Sequence, residues 1–459
     1  MLYKYIPMLK KIINTYDIKP SISAGRELER LLFELKILNI HPEQIITYIK
    51  KHFEQSGCSG KEKIANIKSS LIKLRFPASS LHRKILPQDV YLPQINNKRE
   101  KVYHPGDIFS PEKIFIENNV KNCEIERNLK KLFPDTPAEY IVSCSQKAGE
   151  LKPDHRTLKV PYIFVVKEKH DFLKPCPCTR GHLGCGYWIL NLGFGCPFDC
   201  SYCYLQQYQN VPGLIIPANI DDFFDSFDKF HQKINRTIRI GTGEFCDSLA
   251  LDHITEYSKK LVPFFSKKDV LFELKTKSRN IDNLLSIPAS KNTIISWSLN
   301  PQIFIDNEEI AVAPLKQRLE AAQKVQQHGY SIAFHFDPIV LINNWEKEYT
   351  RVVELIYQHV KPGLAWISLG TLRFTRTMKT AMEQRFPGSI LPYQELLLGK
   401  DRKLRYIEEL RQPAYNHLKD SIRKFDTKTP VYLCMESHKI WQNFDPSVKD
   451  TSDIEKTLI

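Results

Sequence analysis

The segment YWILNLGFGCPFDCSYCYLQQ, Tyr187 to Gln207, runs an apolar stretch into a glycine-bearing turn and then into three cysteines. YWILNLG is short and apolar and is bounded by glycine, which predicts a buried strand. Cys196, Cys200 and Cys203 follow it in a C-x3-C-x2-C spacing. Three thiolates on one short loop can hold three irons of a four-iron cluster and leave one iron open, whereas a closed structural zinc site wants four ligands. A zinc site completed by Cys185 or His182, or plain reduced thiols, is the other reading of the same residues.

Working outward, the same kind of apolar run recurs as TIRIGTG (237–243), VLFELKTK (270–277), TIISWSLN (293–300), SIAFHFDPIV (331–340) and AWISLGTLRF (365–374). Helical patterns lie between these runs. The clearest is LKQRLEAAQKVQQHGY, in which Ala321, Ala322 and Val325 share a face and Gly329 ends the helix. Six strands alternating with helices predict an α/β fold with a parallel sheet, closed or partly closed as a (β/α)6 barrel, with its chemistry at the C-terminal strand ends. The polar residues that interrupt the pattern fall at those ends: Cys196, then Glu244 and Cys246, Lys277, Ser298 and Asn300, and Asp337.

Residues 1–85 read as a helical region, with GRELERLLFELKILNI and PEQIITYIKKHFEQ carrying apolar residues at three- and four-residue spacing. Residues 86–111, rich in Pro, Asn and charge, read as a linker. Residues 112–186, with the strand-like EKIFIENNV and the helical CEIERNLKKLFP, form an α/β lead-in to a core at 187–375. A C-terminal region at 376–459 completes the core.

The chain has 459 residues with a net charge of +14, which favours a polyanionic partner, although a bias toward Lys-rich composition would produce the same number. Eleven cysteines, six of them between Cys176 and Cys203, do not resemble a secreted disulfide framework. No apolar run is long enough for a membrane span, and the N-terminus lacks the layout of a signal peptide, so the expected location is cytoplasmic.

The cysteine loop, with an aromatic residue before its last cysteine and a strand before its first, resembles the radical S-adenosylmethionine (radical SAM) superfamily. CSYCYLQ, EFCDSLALDH with Cys246 placed 43 residues after Cys203, KTK, SLN and YLCMES together resemble the spore photoproduct lyase family over roughly residues 110–445. The resemblance implies a [4Fe-4S] cluster on Cys196, Cys200 and Cys203, and S-adenosyl-L-methionine held by Lys277, Ser298 and Asn300. Glu244, in a turn like the superfamily's glycine-rich one, would take the cofactor's ammonium. It implies repair of a thymine-dimer photoproduct in DNA: a 5'-deoxyadenosyl radical abstracts hydrogen, Cys246 quenches the thymine radical, and Tyr202 and Tyr204 relay the hydrogen back.

Arg405 and Tyr406 align with an Arg-Tyr pair expected to contact the lesion, and the basic segments RFTRTMKT and DRKLRYIEELR are expected to grip phosphates. The implied partners are damaged DNA and an external electron donor such as a flavodoxin or ferredoxin. Two alternatives remain: a radical SAM enzyme for another nucleic-acid, peptide or small-molecule substrate, and a non-catalytic metal-containing nucleic-acid-binding protein. Cys176, Cys178 and Cys185 read as reduced thiols near the site, and Cys58, Cys123, Cys144 and Cys434 receive no role.

Overall fold

The computed structural model describes residues 6–53, 59–95, 101–106, 108–169, 172–179, 181–234 and 236–459. Residues 96–100 and 107 of the linker, and Cys58, lie outside the described residues. The chain forms two compact units, Met1–Glu100 with Arg373–Arg411, and Lys101–Leu372 with Gln412–Ile459. No described helix is long and apolar enough to cross a membrane.

The N-terminal part of the first unit is helical, as its periodicity predicts, with α1 (Ile6–Tyr16), α2 (Ile22–Ile37), α3 (Pro42–His52), α4 (Gly60–Arg75) and α5 (Pro77–His82). Arg373–Arg411 adds the helix Arg376–Arg385 and a three-stranded antiparallel sheet of Arg373–Phe374, Leu404–Arg405 and Leu397–Leu398. Local chemistry sets their starts: the Ser21 hydroxyl accepts from the Ala24 amide, Pro42 opens α3, and Ser59 and Glu62 form a reciprocal cap on α4. Leu28, Leu31, Leu35, Ile45, Ile49, Ile67 and Leu71 make the core, and Leu397 and Ile407 join it.

Residues 373–411 therefore belong with the N-terminal helices, and the region read as 376–459 divides at Arg411. A buried ion cluster is the polar counterpart of that shared core. The Glu34 carboxylate, 1% exposed, accepts from Arg30 Nε at 2.9 Å, Arg75 Nε at 2.7 Å and Lys379 Nζ at 2.8 Å, and Glu383 pairs with Arg30. Burial alone would raise the Glu34 pKa, but Lys379, Arg75 and Arg30 together hold it well below the usual carboxylate range.

The second unit is α/β. Its strands are β1 (Lys113–Glu117), β2 (Ala138–Ile141), β3 (Tyr162–Val166), β4 (Leu173–Pro175), β5 (Trp188–Leu190), β6 (Asp199–Cys200), β7 (Leu214–Pro217), β8 (Ile238–Thr242), β9 (Val270–Thr276), β10 (Thr293–Ser298), β11 (Glu309–Ile310), β12 (Ser331–Ile339), β13 (Trp366–Thr371) and β14 (Val431–Leu433). A four-stranded parallel sheet has the order β2-β1-β3-β7. The eight-stranded sheet runs β14-β13-β12-β10-β9-β8-β5-β4.

All six expected core strands are present and parallel, adjacent in the order in which they occur. Two strands of this eight-stranded sheet were not expected: β14, which extends the parallel run, and β4, an antiparallel edge. The six strands and their intervening helices give the predicted curled half-barrel, with Leu274, Ile295, Ala322, Phe334 and Ile367 in the layer between sheet and helices. Gly329 ends the helix Leu315–His328 as read, with a φ of +112° that a side chain would strain.

Removing the carboxylate of Glu34 leaves the buried Arg75 and Lys379 without their acid and Arg30 with Glu383 alone. Glu34→Ala is expected to cost about 3–5 kcal/mol in urea unfolding. A loss under 1 kcal/mol would show that the cluster does not hold this unit together.

Candidate active site

The cysteine loop leaves the sheet at the C-terminal end of β5. Gly195 turns it at a φ of +93°, where an added Cβ would lie 2.7 Å from the Gly213 carbonyl oxygen. Lys159 Nζ then donates to the carbonyls of Cys196 and Phe198, both at 2.9 Å. The fully buried Asp199 lies 2.7 Å from His104 Nδ1 and accepts at 2.7 Å from Gln206 Nε2, which also donates to the Cys200 carbonyl at 3.0 Å. β6 pairs with β11, setting Cys200 opposite Glu309. The backbone of the loop is thus fixed by side chains from outside it, while its three thiols remain available as ligands.

Among the described residues, no three His, Cys, Asp or Glu side chains converge where they could hold a single ion. Three thiols on one short loop, Cys196, Cys200 and Cys203, are the donor set that a four-iron cluster takes, whereas a closed zinc site wants a fourth ligand. The donor set therefore fits an iron–sulfur cluster. As free thiols, Cys196 is pushed well up and Cys200 to about 12, in both cases chiefly by burial.

Behind the loop stands a carboxylate that the sequence reading missed. Glu309 receives Arg318 Nη2 at 2.6 Å and Asn300 Nδ2 at 3.2 Å, lies 3.6 Å from Lys277 Nζ, and accepts the Tyr202 hydroxyl proton. Lys277 Nζ also donates to the Tyr202 hydroxyl at 2.9 Å. Burial pushes the Glu309 pKa up, but Lys277 and Arg318 outweigh it and hold the group at about 2. Tyr202 is pushed well above its usual value, by burial and then by Glu309. Asn300 also accepts from the Tyr349 hydroxyl at 3.0 Å. Ser298, at the end of β10, is buried, and its carbonyl accepts from Arg318 at 2.8 Å. Lys277, Asn300 and Tyr202 are therefore brought together, each already bonded to Glu309 or facing it.

Lys275 and Lys277 share a face, as alternation along an extended chain requires, but they meet different partners. Lys275 Nζ lies 4.0 Å from Glu244, in the loop after β8. That loop is pinned by Asp247, whose carboxylate accepts from Leu249 N at 3.0 Å, Ala250 N at 2.9 Å, Thr276 Oγ1 at 2.6 Å and Lys277 N at 2.7 Å. Cys246 sits between Glu244 and this clamp, lining a cavity of about 40 Å³ with Gly193, Ser248 and Tyr257. Burial and then Asp247 push its thiol up to about 12. At neutral pH it is an S–H group, not a thiolate.

Tyr204 stacks on Tyr208, with ring centroids 5.9 Å apart, at the start of a short helix. Arg405 and Tyr406 lie in the first unit, where Arg405 pairs with Asp401 at 2.7 Å and the Tyr406 hydroxyl donates to Gln394 at 2.9 Å. Inside the half-barrel, Glu273 lies 2.6 Å from His335 Nε2 and 3.8 Å from Arg239, which stacks 4.1 Å over the Trp366 ring. Cys176 hydrogen-bonds Cys178, and that bond followed by burial raises its pKa, with Cys434 and Glu244 close enough to add to the rise.

Glu309 was not found from sequence because its two-residue strand carries no periodicity. Arg318 was missed because a cation within a helical pattern reads as a solvated side chain.

Comparison with known proteins gives a consistent result. The family model described as Spore photoproduct lyase matches residues 109–408. The spore photoproduct lyase of Bacillus subtilis (strain 168) is 25% identical over 300 residues, covering 62% of this chain and 85% of that protein. The one from Geobacillus sp. (strain Y412MC61) is 28% identical over 303 residues, covering 62% and 86%. A solved structure of a spore photoproduct lyase complexed with dinucleoside spore photoproduct has a TM-score of 0.62 at 23% identity, covering 71% of this chain and 99% of that one. A mutant with bound AdoMet and dinucleoside spore photoproduct has a TM-score of 0.60 at 23% identity, covering 71% and 98%.

Because Glu309 is ionised when folded down to about pH 2 and titrates near 4.3 when unfolded, its contribution to stability is complete above the unfolded value. It is lost as pH falls toward 2. In acid unfolding curves, Glu309→Gln is expected to have a shallower stability loss between pH 5 and pH 2 than the unmodified chain (window of roughly those bounds). Identical curves would show that the carboxylate is not held ionised.

Proposed function

The chain belongs to the spore photoproduct lyase family, and from that membership we propose that it repairs a thymine-dimer photoproduct in DNA as a radical SAM lyase. The observation that carries the reading is the clamped C-x3-C-x2-C loop at the end of the first barrel strand, with a protonated Cys246 thiol at the end of the next. Cys196, Cys200 and Cys203 would hold a [4Fe-4S] cluster, and bound there with S-adenosylmethionine it supplies an adenosyl radical that removes a hydrogen atom from the lesion.

The residues around the loop bind and orient. Glu244 suits the cofactor's ammonium. We assign the cofactor's carboxylate to Lys275 rather than to Lys277, since Lys277 is engaged by Tyr202 and Glu309 whereas Lys275 faces Glu244. Ser298 offers a hydroxyl at a strand end, and Asn300 serves by holding Glu309.

Cys246 gives its hydrogen atom to the thymine radical. Its high pKa is what the role needs, because a thiolate has no hydrogen to give. Tyr202 and Tyr204 return the hydrogen, each giving its O–H hydrogen atom to the radical on one side and taking one from the other side, and the bond to Glu309 orients the Tyr202 hydroxyl. Arg405 and Tyr406 are buried in the free chain, so their contact with the lesion requires that the segment opens when DNA binds. An external donor such as a flavodoxin or ferredoxin supplies the electron.

Anaerobic reconstitution and reduction with S-adenosylmethionine, with and without ultraviolet-damaged DNA, tests this reading. The unmodified chain is expected to form 5'-deoxyadenosine and to restore thymines within the DNA. Cys196→Ala is expected to form neither. Cys246→Ala should still cleave the cofactor but restore at least about tenfold less thymine, as loss of a hydrogen-transfer group does. No 5'-deoxyadenosine from the unmodified chain would sink the radical reading, and cofactor cleavage without thymine would sink the lyase.

A further inference from the structure

The net charge of the chain is not spread along it. The first unit, Met1–Glu100 with Arg373–Arg411, holds 27 Lys and Arg against 14 Asp and Glu, so that +13 of the chain's +14 lies there. The second unit is more than twice as long and carries +1. A bias toward lysine-rich coding would charge both units in proportion to length, so bias does not account for this.

Nor is the excess spent inside the unit. Arg30, Arg75 and Lys379 are paired in the core with two acids, Glu34 and Glu383, which takes up only one of the surplus positive charges. Among the described residues of this unit, fourteen Lys and Arg are exposed against four Asp and Glu. They come from several elements, including Lys10 and Lys11 on α1, Lys50 and Lys51 on α3, and Arg402 beside the lesion-contact candidates.

The family match begins at residue 109, so α1 to α5 lie outside it, while most of 373–411 lies inside it. The shared core and the Glu34 cluster make the two segments one folded body. Helices outside the family match are thus built onto the segment that bears Arg405 and Tyr406.

We infer that this unit is a duplex-gripping module: its N-terminal helices bind the phosphates of double-stranded DNA flanking the lesion, in one folded body with the segment that bears Arg405 and Tyr406. This rests on the repair reading given above. Exposed ammonium groups from several helices suit a repeated phosphate backbone, and such contacts add affinity without reading sequence.

The test is the salt dependence of duplex binding by the full chain. Lys10→Gln, Lys11→Gln, Lys50→Gln and Lys51→Gln together remove up to four phosphate contacts, so the slope of log affinity against log salt is expected to become shallower by about 3 to 4. Affinity at near-physiological salt is expected to fall at least about tenfold, alike for damaged and undamaged duplex. The matching set in the second unit, Lys229→Gln, Lys267→Gln, Lys291→Gln and Lys324→Gln, is expected to change neither. Urea unfolding of both variants checks that they fold.

An unchanged slope in the first variant would overturn the inference, as would an equal loss in the second. Double-stranded RNA bound as tightly as DNA, with the same slope, would overturn the assignment to DNA. Turnover of a dinucleoside lesion by the unmodified chain separates this from the repair reading, since that substrate has no flanking phosphates. If it is not repaired, the repair reading fails whatever the salt slope shows.

Discussion

The site depends on one buried carboxylate. Glu309 joins the cysteine loop to the barrel: its backbone pairs with Cys200, while its side chain gathers Arg318, Lys277, Asn300 and Tyr202. A lone carboxylate at that depth would be protonated or expelled. Two cations and two neutral donors make the ionised form the stable one, so each of those side chains has a fixed partner. The same arrangement explains why Lys277 is committed and Lys275 is not, though the two residues are chemically alike and two apart.

The interior of the half-barrel follows the same rule. Glu273 is held at about 2, against the upward push of burial, by His335 and by Arg239. The successive inward residues of β9, Glu273 and Lys275, thus alternate in sign, and Lys277 continues the line just beyond the strand. Charge pairing between neighbouring strands lets a polar interior exist beneath an apolar sheet-and-helix layer. The thiols around Cys176, Cys178 and Cys434 lie at the same mouth, close to Glu244.

The two units solve different problems with the same residue types. In the second unit, acids and bases balance almost one for one, and many are buried in pairs. In the first unit the buried Arg30, Arg75 and Lys379 are tied to Glu34 and Glu383, and most of the surplus of cations among the described residues is exposed. Burial demands compensation because desolvation is costly, whereas a solvated surface can carry a net charge and attract an opposite one.

The sequence by itself determined the parts set by local periodicity and local chemistry. Six strands, the helix ended by Gly329, the N-terminal helices and the cysteine spacing were all legible, because strand and helix periods and the ligand set of a short loop are properties of neighbouring residues. Tertiary structure decided what depends on distant residues meeting. Glu309 and Arg318 give no local signal, yet they lock Lys277, Asn300 and Tyr202. β14 is only three residues long and gains its place by pairing with β13. Residues 373–411 join the N-terminal helices because Lys379 and Glu383 find Glu34 and Arg30 some 350 positions away (separations of 345 and 353). The physical reason is the same in each case: the free energy of a buried charge depends on which partners surround it, and only the folded chain supplies them.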